Sequence, residues 1–250
     1  MINERLSNIE KNSNKFYKEL ISIVLTSLEK RPPSHSIQND VRTLLRDSIF
    51  YRIDSIYFHL DMLIKTNNSI LMKMQQNSFY VDEKLIKKGQ DSMSYIFDDI
   101  IFNLCSLLDY FGDLVGCIYI GDDKQRLKWP GCARASRDPN NSLNSFKIAS
   151  IISNEDKVWV GHLYDYRSKL IHYRKDITSS NQQIKFEKNS ITYTFKVDKP
   201  ELFISIIKLY SNTEEKEEHS IIDIAVWLID KFYNSLSNIV EIGKTDIEIP

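Results

Sequence analysis

The chain has 250 residues, of which 42% are hydrophobic and 27% charged, with a formal net charge of −1. That length buries a sizeable core without staples, and seven glycines and six prolines argue against both a loop-rich β-sandwich and disorder. The near-neutral balance excludes a polycationic tail, so a phosphate-binding site has to be local.

In chain order, a first helix is predicted over Glu4–Lys30, ended by Pro32–Pro33. A second runs from Ile37 to Gln76. There Ile49, Ile53, Ile56, Leu60, Leu63, Asn67, Ile70 and Met74 alternate spacings of four and three, which is one stripe on a helix face. Asn67–Asn68–Ser69 marks the place where it would kink or divide. Phe79–Lys88 reads as a connector. A third helix over Ser92–Tyr119 carries Phe97, Ile101, Leu104, Leu108, Phe111, Val115 and Ile118 on its stripe, with Asp99, Asn103, Ser106 and Asp113 as a narrow polar strip. Its carboxylates (Asp98, Asp99, Asp109, Asp113) argue for a buried core helix rather than a membrane span. Asp109 and Asp113, one turn apart, are read as capping its polar edge.

Gly121–Asn141 reads as the longest loop, basic through Arg126, Lys128, Arg134 and Arg137. A short helix over Ser142–Ile152 follows. Ser153 or Asn154 is then expected to cap a separate helix to about Lys175, with Glu155 and Asp156 in its first turn and Trp159, Leu163, Tyr166, Leu170 and Tyr173 inward. The period then switches to two. Ile184 and Phe186, and after a turn at Lys188–Ser190 also Ile191, Tyr193, Phe195 and Val197, predict a β-hairpin over about 182–198. Pro200 opens a further helix. Thr213–His219 is an acidic loop, and Ser220–Ile242 is the last helix. The expected architecture is all-α with one main core: a helical extension over 1–90 packed on a helical domain over 91–250, with one inserted hairpin.

Cys105, Cys117 and Cys132 include no CxxC pair, which points to neither a disulfide framework nor a zinc site and fits a reducing cytosol. With no signal-peptide pattern at the N-terminus, the expectation is a cytoplasmic protein without a membrane partner. Standard dinucleotide, P-loop, zinc-protease and serine-hydrolase motifs are absent from the sequence. The histidines His35, His59, His162, His172 and His219 show no metal-ligand spacing, so no metal or cofactor is expected.

One segment carries chemistry: Asp165-Tyr166-Arg167-Ser168-Lys169-Leu170-Ile171-His172-Tyr173-Arg174. Histidine moves a proton near neutral pH, and arginine carries a permanent charge on a planar fork suited to phosphate oxygens. Residues five apart on a helix lie about 140° apart around its axis. Arg167 and His172 therefore share no stripe, whereas His162, Asp165, Lys169 and His172 do. Read by spacing alone, that stripe is a solvated polar face, with Asp165 and Lys169 as a helix ion pair.

The Arg167–His172 spacing, on a helix of an all-α chain and after a long apolar helix flecked with acids, resembles the HEPN family. Its mark is an arginine followed four to six positions later by histidine. The resemblance covers about residues 91–245. Ser168 stands where the family commonly has Asn or Asp, and Arg174 where some of its toxin branches have Tyr. The resemblance implies an all-α HEPN-like bundle and a homodimer that pairs two such motifs. It also implies metal-independent RNA cleavage, with His172 activating the ribose 2′-hydroxyl and Arg167 stabilising the phosphorus centre. Lys169, Arg174, Ser168, His162 and Asp165 are the candidate substrate contacts, and the basic loop is a secondary one. A catalytically silent HEPN scaffold that dimerises and binds a protein partner, such as an antitoxin, or a nucleotide is the alternative.

Overall fold

A computed structural model describes residues 2–34, 36–76, 83–121, 127–173, 179–187, 190–198 and 220–248. The protein is mostly helical with one two-stranded sheet. The elements are α1 (Ile2–Lys30), α2 (Val41–Gln76), α3 (Glu83–Val115), α4 (Lys128–Ala135), α5 (Lys147–Glu155), α6 (Gly161–Tyr173), β1 (Ser180–Glu187), β2 (Ser190–Val197) and α7 (Ile221–Glu248). Short 3-10 turns occupy Ile37–Asn39 and Ser142–Ser145, and π turns occupy Gly116–Ile120 and Asp156–Val160.

Contacts divide the chain into two units that share helices. The first is Met1–Asp54, Asn103–Tyr164 and Leu228–Pro250; the second is Ser55–Phe102 and Asp165–Trp227. In the first unit α1 buries Phe16, Leu20 and Val24, and Phe16 meets the rings of Phe232 and Tyr233 on α7 edge-on, with centroids 6.1 and 6.0 Å apart. Pro32–Pro33 leave the last carbonyls of α1 without helical partners. Buried Arg42 adds donors at this end, to Arg31 O at 2.9 Å and to Ser27 O at 2.8 Å, which also accepts the Arg31 N–H at 3.0 Å, while its charge is matched by Asp40.

The second unit buries Ile56, Leu60, Leu63 and Ile70 of α2, Met93, Phe97 and Ile101 of α3, and Tyr166 and Leu170 of α6. No break occurs at Asn67–Ser69, and α2 runs through. β1 and β2 pair antiparallel from Ser180↔Val197 to Glu187↔Ser190, with Phe195 and Val197 buried. Lys188 and Asn189, the expected turn, lie outside the described residues, as do the helix expected at Pro200 and the acidic run Thr213–His219. Ser220 opens α7 through a reciprocal cap: its Oγ accepts from the Asp223 N–H at 3.2 Å, and its own N–H reaches Asp223 Oδ2 at 3.4 Å.

The expected connector at Phe79–Lys88 is shorter than predicted, because α3 already starts at Glu83. Glu83–Ile120 is long and apolar enough to cross a membrane, but 78% of its most apolar window is buried inside the fold, as suits a core helix.

The loop expected over Gly121–Asn141 contains α4, which buries Trp129, Cys132 and Ala133. Pro130 does not prevent the helix, since a first-turn residue needs no N–H for it. Nor is there a break at Ser153 or Asn154. α5 continues through the π turn into α6, and the Gly161 N–H bonds to the Asp156 carbonyl. Glu155 and Asp156 bind other groups there instead of opening a new helix. Glu155 Oε2 accepts from the Trp159 indole at 2.7 Å, and Asp156 from the Trp129 indole at 3.0 Å and from Arg137 at 2.7 Å. Burial first, then nearby Asp113 and Asp156, pushes the Cys132 thiol up to about 12, which makes it an inert core residue.

α4 reaches α3 backbone to backbone. A Cβ on Gly112 would stand 2.6 to 2.8 Å from the Lys128 and Trp129 main chain. The carboxylates either side hold the contact. Asp113 accepts the Lys128 N–H at 3.0 Å and Asp109 accepts the Trp129 N–H at 3.3 Å. Lys128 takes a left-handed backbone, φ +40°, in this grip. The Gly112→Ala variant has no flexible atom to displace, so a stability loss of about 1–3 kcal/mol is expected, read as a Tm lower by several degrees in a thermal melt.

Candidate functional site

α6 carries the arginine–histidine segment. Its first residues belong to the first unit. There Tyr164 donates its hydroxyl to Asp109 Oδ1 at 2.6 Å, with the Cys105 carbonyl 3.0 Å away, and His162 is half-buried. Tyr164 is thus tied to α3.

From Asp165 onward α6 belongs to the second unit. Tyr166 is buried, and its hydroxyl reaches Asp98 at 3.5 Å. Arg167 is half-buried, with its guanidinium carbon 6.0 Å above the Phe102 ring. Its Nε is shielded from solvent. Ser168 is exposed, and Lys169 Nζ sits 2.8 Å from Asp165 Oδ2, the ion pair that the spacing predicts. Leu170 is buried and Ile171 is 57% exposed. His172, in the last turn, is exposed and has no hydrogen-bond partner among the described residues. Arg174 lies outside the described residues, and so does the side chain of Tyr173.

The helix thus separates its two principal groups. Arg167 is steadied by an aromatic ring, while His172 projects into water. Five residues turn about 140°, so one straight helix does not converge them on a single phosphate. Of the secondary candidates, Lys169 and Asp165 neutralise one another and Ser168 adds an exposed hydroxyl. Among the described residues no group of three or more His, Cys, Asp or Glu side chains could hold a metal ion.

In the basic stretch before α5 one side chain is committed to structure, and Arg134 is exposed. Arg137 pairs with Asp156, and the Lys128 N–H is taken by Asp113. Arg126 lies outside the described residues. Arg137, Lys147 and Lys157 line a groove of about 760 Å³ together with Ser145 and Ser150.

Sequence reading missed Phe102 as the platform for Arg167. It lies on α3, distant in the chain and beside the polar strip, so no local spacing connects the two. No family model matches the chain, and neither does any curated protein or solved structure.

The two candidate residues differ in what they do for the fold. Arg167→Lys gives up the planar face over Phe102 and is expected to cost about 0.5–1 kcal/mol. His172→Ala, which removes no packed contact, should stay within about 0.5 kcal/mol of the wild type in urea denaturation.

Proposed function

We propose that this chain is a HEPN-type helical protein that cleaves RNA without a metal ion, each active site being completed by a second copy. The observation that carries this reading is the division of labour on α6: a half-buried Arg167 braced on Phe102, and one and a half turns later an exposed His172 with no partner among the described residues. A histidine that served the core would be buried; this one is exposed at the last turn of α6.

In the reaction His172 takes the proton of a ribose 2′-hydroxyl, and the oxygen attacks the adjacent phosphorus. The Arg167 guanidinium neutralises the charge that gathers on the non-bridging oxygens. The bond between phosphorus and the 5′-oxygen breaks, that oxygen takes a proton from water, and the products are a 2′,3′-cyclic phosphate and a 5′-hydroxyl. The angular separation of the two groups within one α6 is what calls for a second copy, in which the arginine of one helix faces the histidine of the other.

A second reading, a scaffold that docks a partner helix, has its own support. Within the second unit, α2 carries Phe58, Lys65 and Met72 outward at intervals of seven, opposite its buried stripe, and Phe58 and Met72 are 60% and 59% exposed. Intervals of seven are the spacing of a helix–helix seam.

Incubation of a mixed-sequence RNA with the purified protein in EDTA separates the two readings. The nuclease reading predicts 2′,3′-cyclic ends and a rate about 100-fold lower or less in His172→Ala. Arg167→Lys should retain only a small part of the activity. Cleavage that survives His172→Ala, or intact RNA with folded protein, would leave the scaffold reading.

A further inference from the structure

Away from α6, the α2–α3 face of the second unit holds a groove of about 350 Å³ whose charged lining is entirely cationic. Lys65, Lys73 and Lys88 rim it, and Met62, Ile70 and Leu85 form its apolar part. Lys65 is 2.6 Å from Asp61, whereas Lys73 and Lys88 have no carboxylate partner among the described residues. Gly89 lets the two helices close here, since a Cβ would fall 2.3 Å from the Ile70 side chain. A second groove of about 590 Å³ shares Lys88 and Ser92 and extends to Tyr95. Its carboxylates are Asp91, held by Lys87 at 2.9 Å, and Glu83.

The register of α3 connects these features. Lys88, Tyr95 and Phe102 are seven residues apart, so they follow one face at intervals of about 10 Å. Tyr95 is 62% exposed, and Phe102 lies beneath Arg167. Cation, open aromatic ring, then ring plus guanidinium is a sequence that suits a polyanion with flat bases. An acidic peptide would find no use for the exposed ring at this spacing, and a duplex would not expose its bases to it.

We propose that this face binds single-stranded RNA, with phosphates on Lys73 and Lys88 and a base stacked on Tyr95, and leads the strand along α3 toward Arg167. The proposal rests on the nuclease reading for its choice of RNA. The face also carries acidic groups, each with a neighbour: Asp91 is 2.9 Å from Lys87, Asp98 accepts from the Tyr166 hydroxyl at 3.5 Å, and Asp99 lies 3.7 Å from His59 Nε2.

The test uses a fluorescent 2′-O-methyl RNA, which has no free 2′-hydroxyl and so reports binding without cleavage. Anisotropy is measured over a series of salt concentrations for the full chain, Lys73→Glu/Lys88→Glu, Tyr95→Ala, Tyr95→Phe and His172→Ala. The altered side chains are exposed, and circular dichroism checks that each variant folds. The double variant should bind at least about ten-fold more weakly, and its slope of log affinity against log salt should flatten by about 1.4, the loss of two phosphate contacts on a single strand. Tyr95→Ala should lose about five-fold or more and Tyr95→Phe should recover it. His172→Ala should bind as the wild type does. Unchanged binding in the double variant overturns the track, and so does adenosine monophosphate binding as tightly as the oligomer. With cleavable RNA, normal cutting by the double variant and none by His172→Ala would sink the track and leave the nuclease. Weakened binding with no cutting by any form would do the reverse.

Discussion

A backbone-on-backbone contact between α3 and α4 sets the terms for the first unit. Gly112 is there because no side chain fits between α3 and the start of α4. Asp109 and Asp113 flank it, so the approach that removes water from two amide groups also gives them acceptors. Asp109 is used twice, once by the Trp129 amide and once by the Tyr164 hydroxyl. The same carboxylate therefore ties both α4 and the first turn of α6 to α3.

The indole–carboxylate pairs explain why the helix through α5 and α6 does not break where its sequence invites a break. Ser153, Asn154, Glu155 and Asp156 have the composition of a helix start. In the fold the two acids are drawn sideways to Trp159, Ser235, Trp129 and Arg137, and the backbone absorbs the change in phase as a π turn. Local propensity lost to tertiary hydrogen bonding. α4 was hidden for a related reason. Pro130 and Gly131 look like breakers, and an eight-residue helix with a Trp–Cys–Ala face has too few turns to show a period.

What repeats over many turns was readable: the α2, α3 and α6 stripes, the hairpin and its two-residue register, and the Asp165–Lys169 pair. What depends on residues far apart in the chain was not. Phe102 beneath Arg167, Asp109 beneath Tyr164 and Arg42 on the last carbonyls of α1 all join elements that no local window contains. The candidate chemistry sits at this boundary. The spacing of Arg167 and His172 is plain in the sequence, whereas the different environments of the two side chains emerge only in the fold.

The proposed nuclease reading carries a claim about stoichiometry: an arginine and a histidine that diverge on one helix act together when they come from two chains. Mixing purified Arg167→Ala with His172→Ala, after conditions that exchange subunits, tests this directly. Half of the resulting dimers would carry one intact composite site, so about a quarter of the wild-type cleavage rate should return. No recovery, with exchange verified by a mass-tagged subunit, would contradict a site shared between copies.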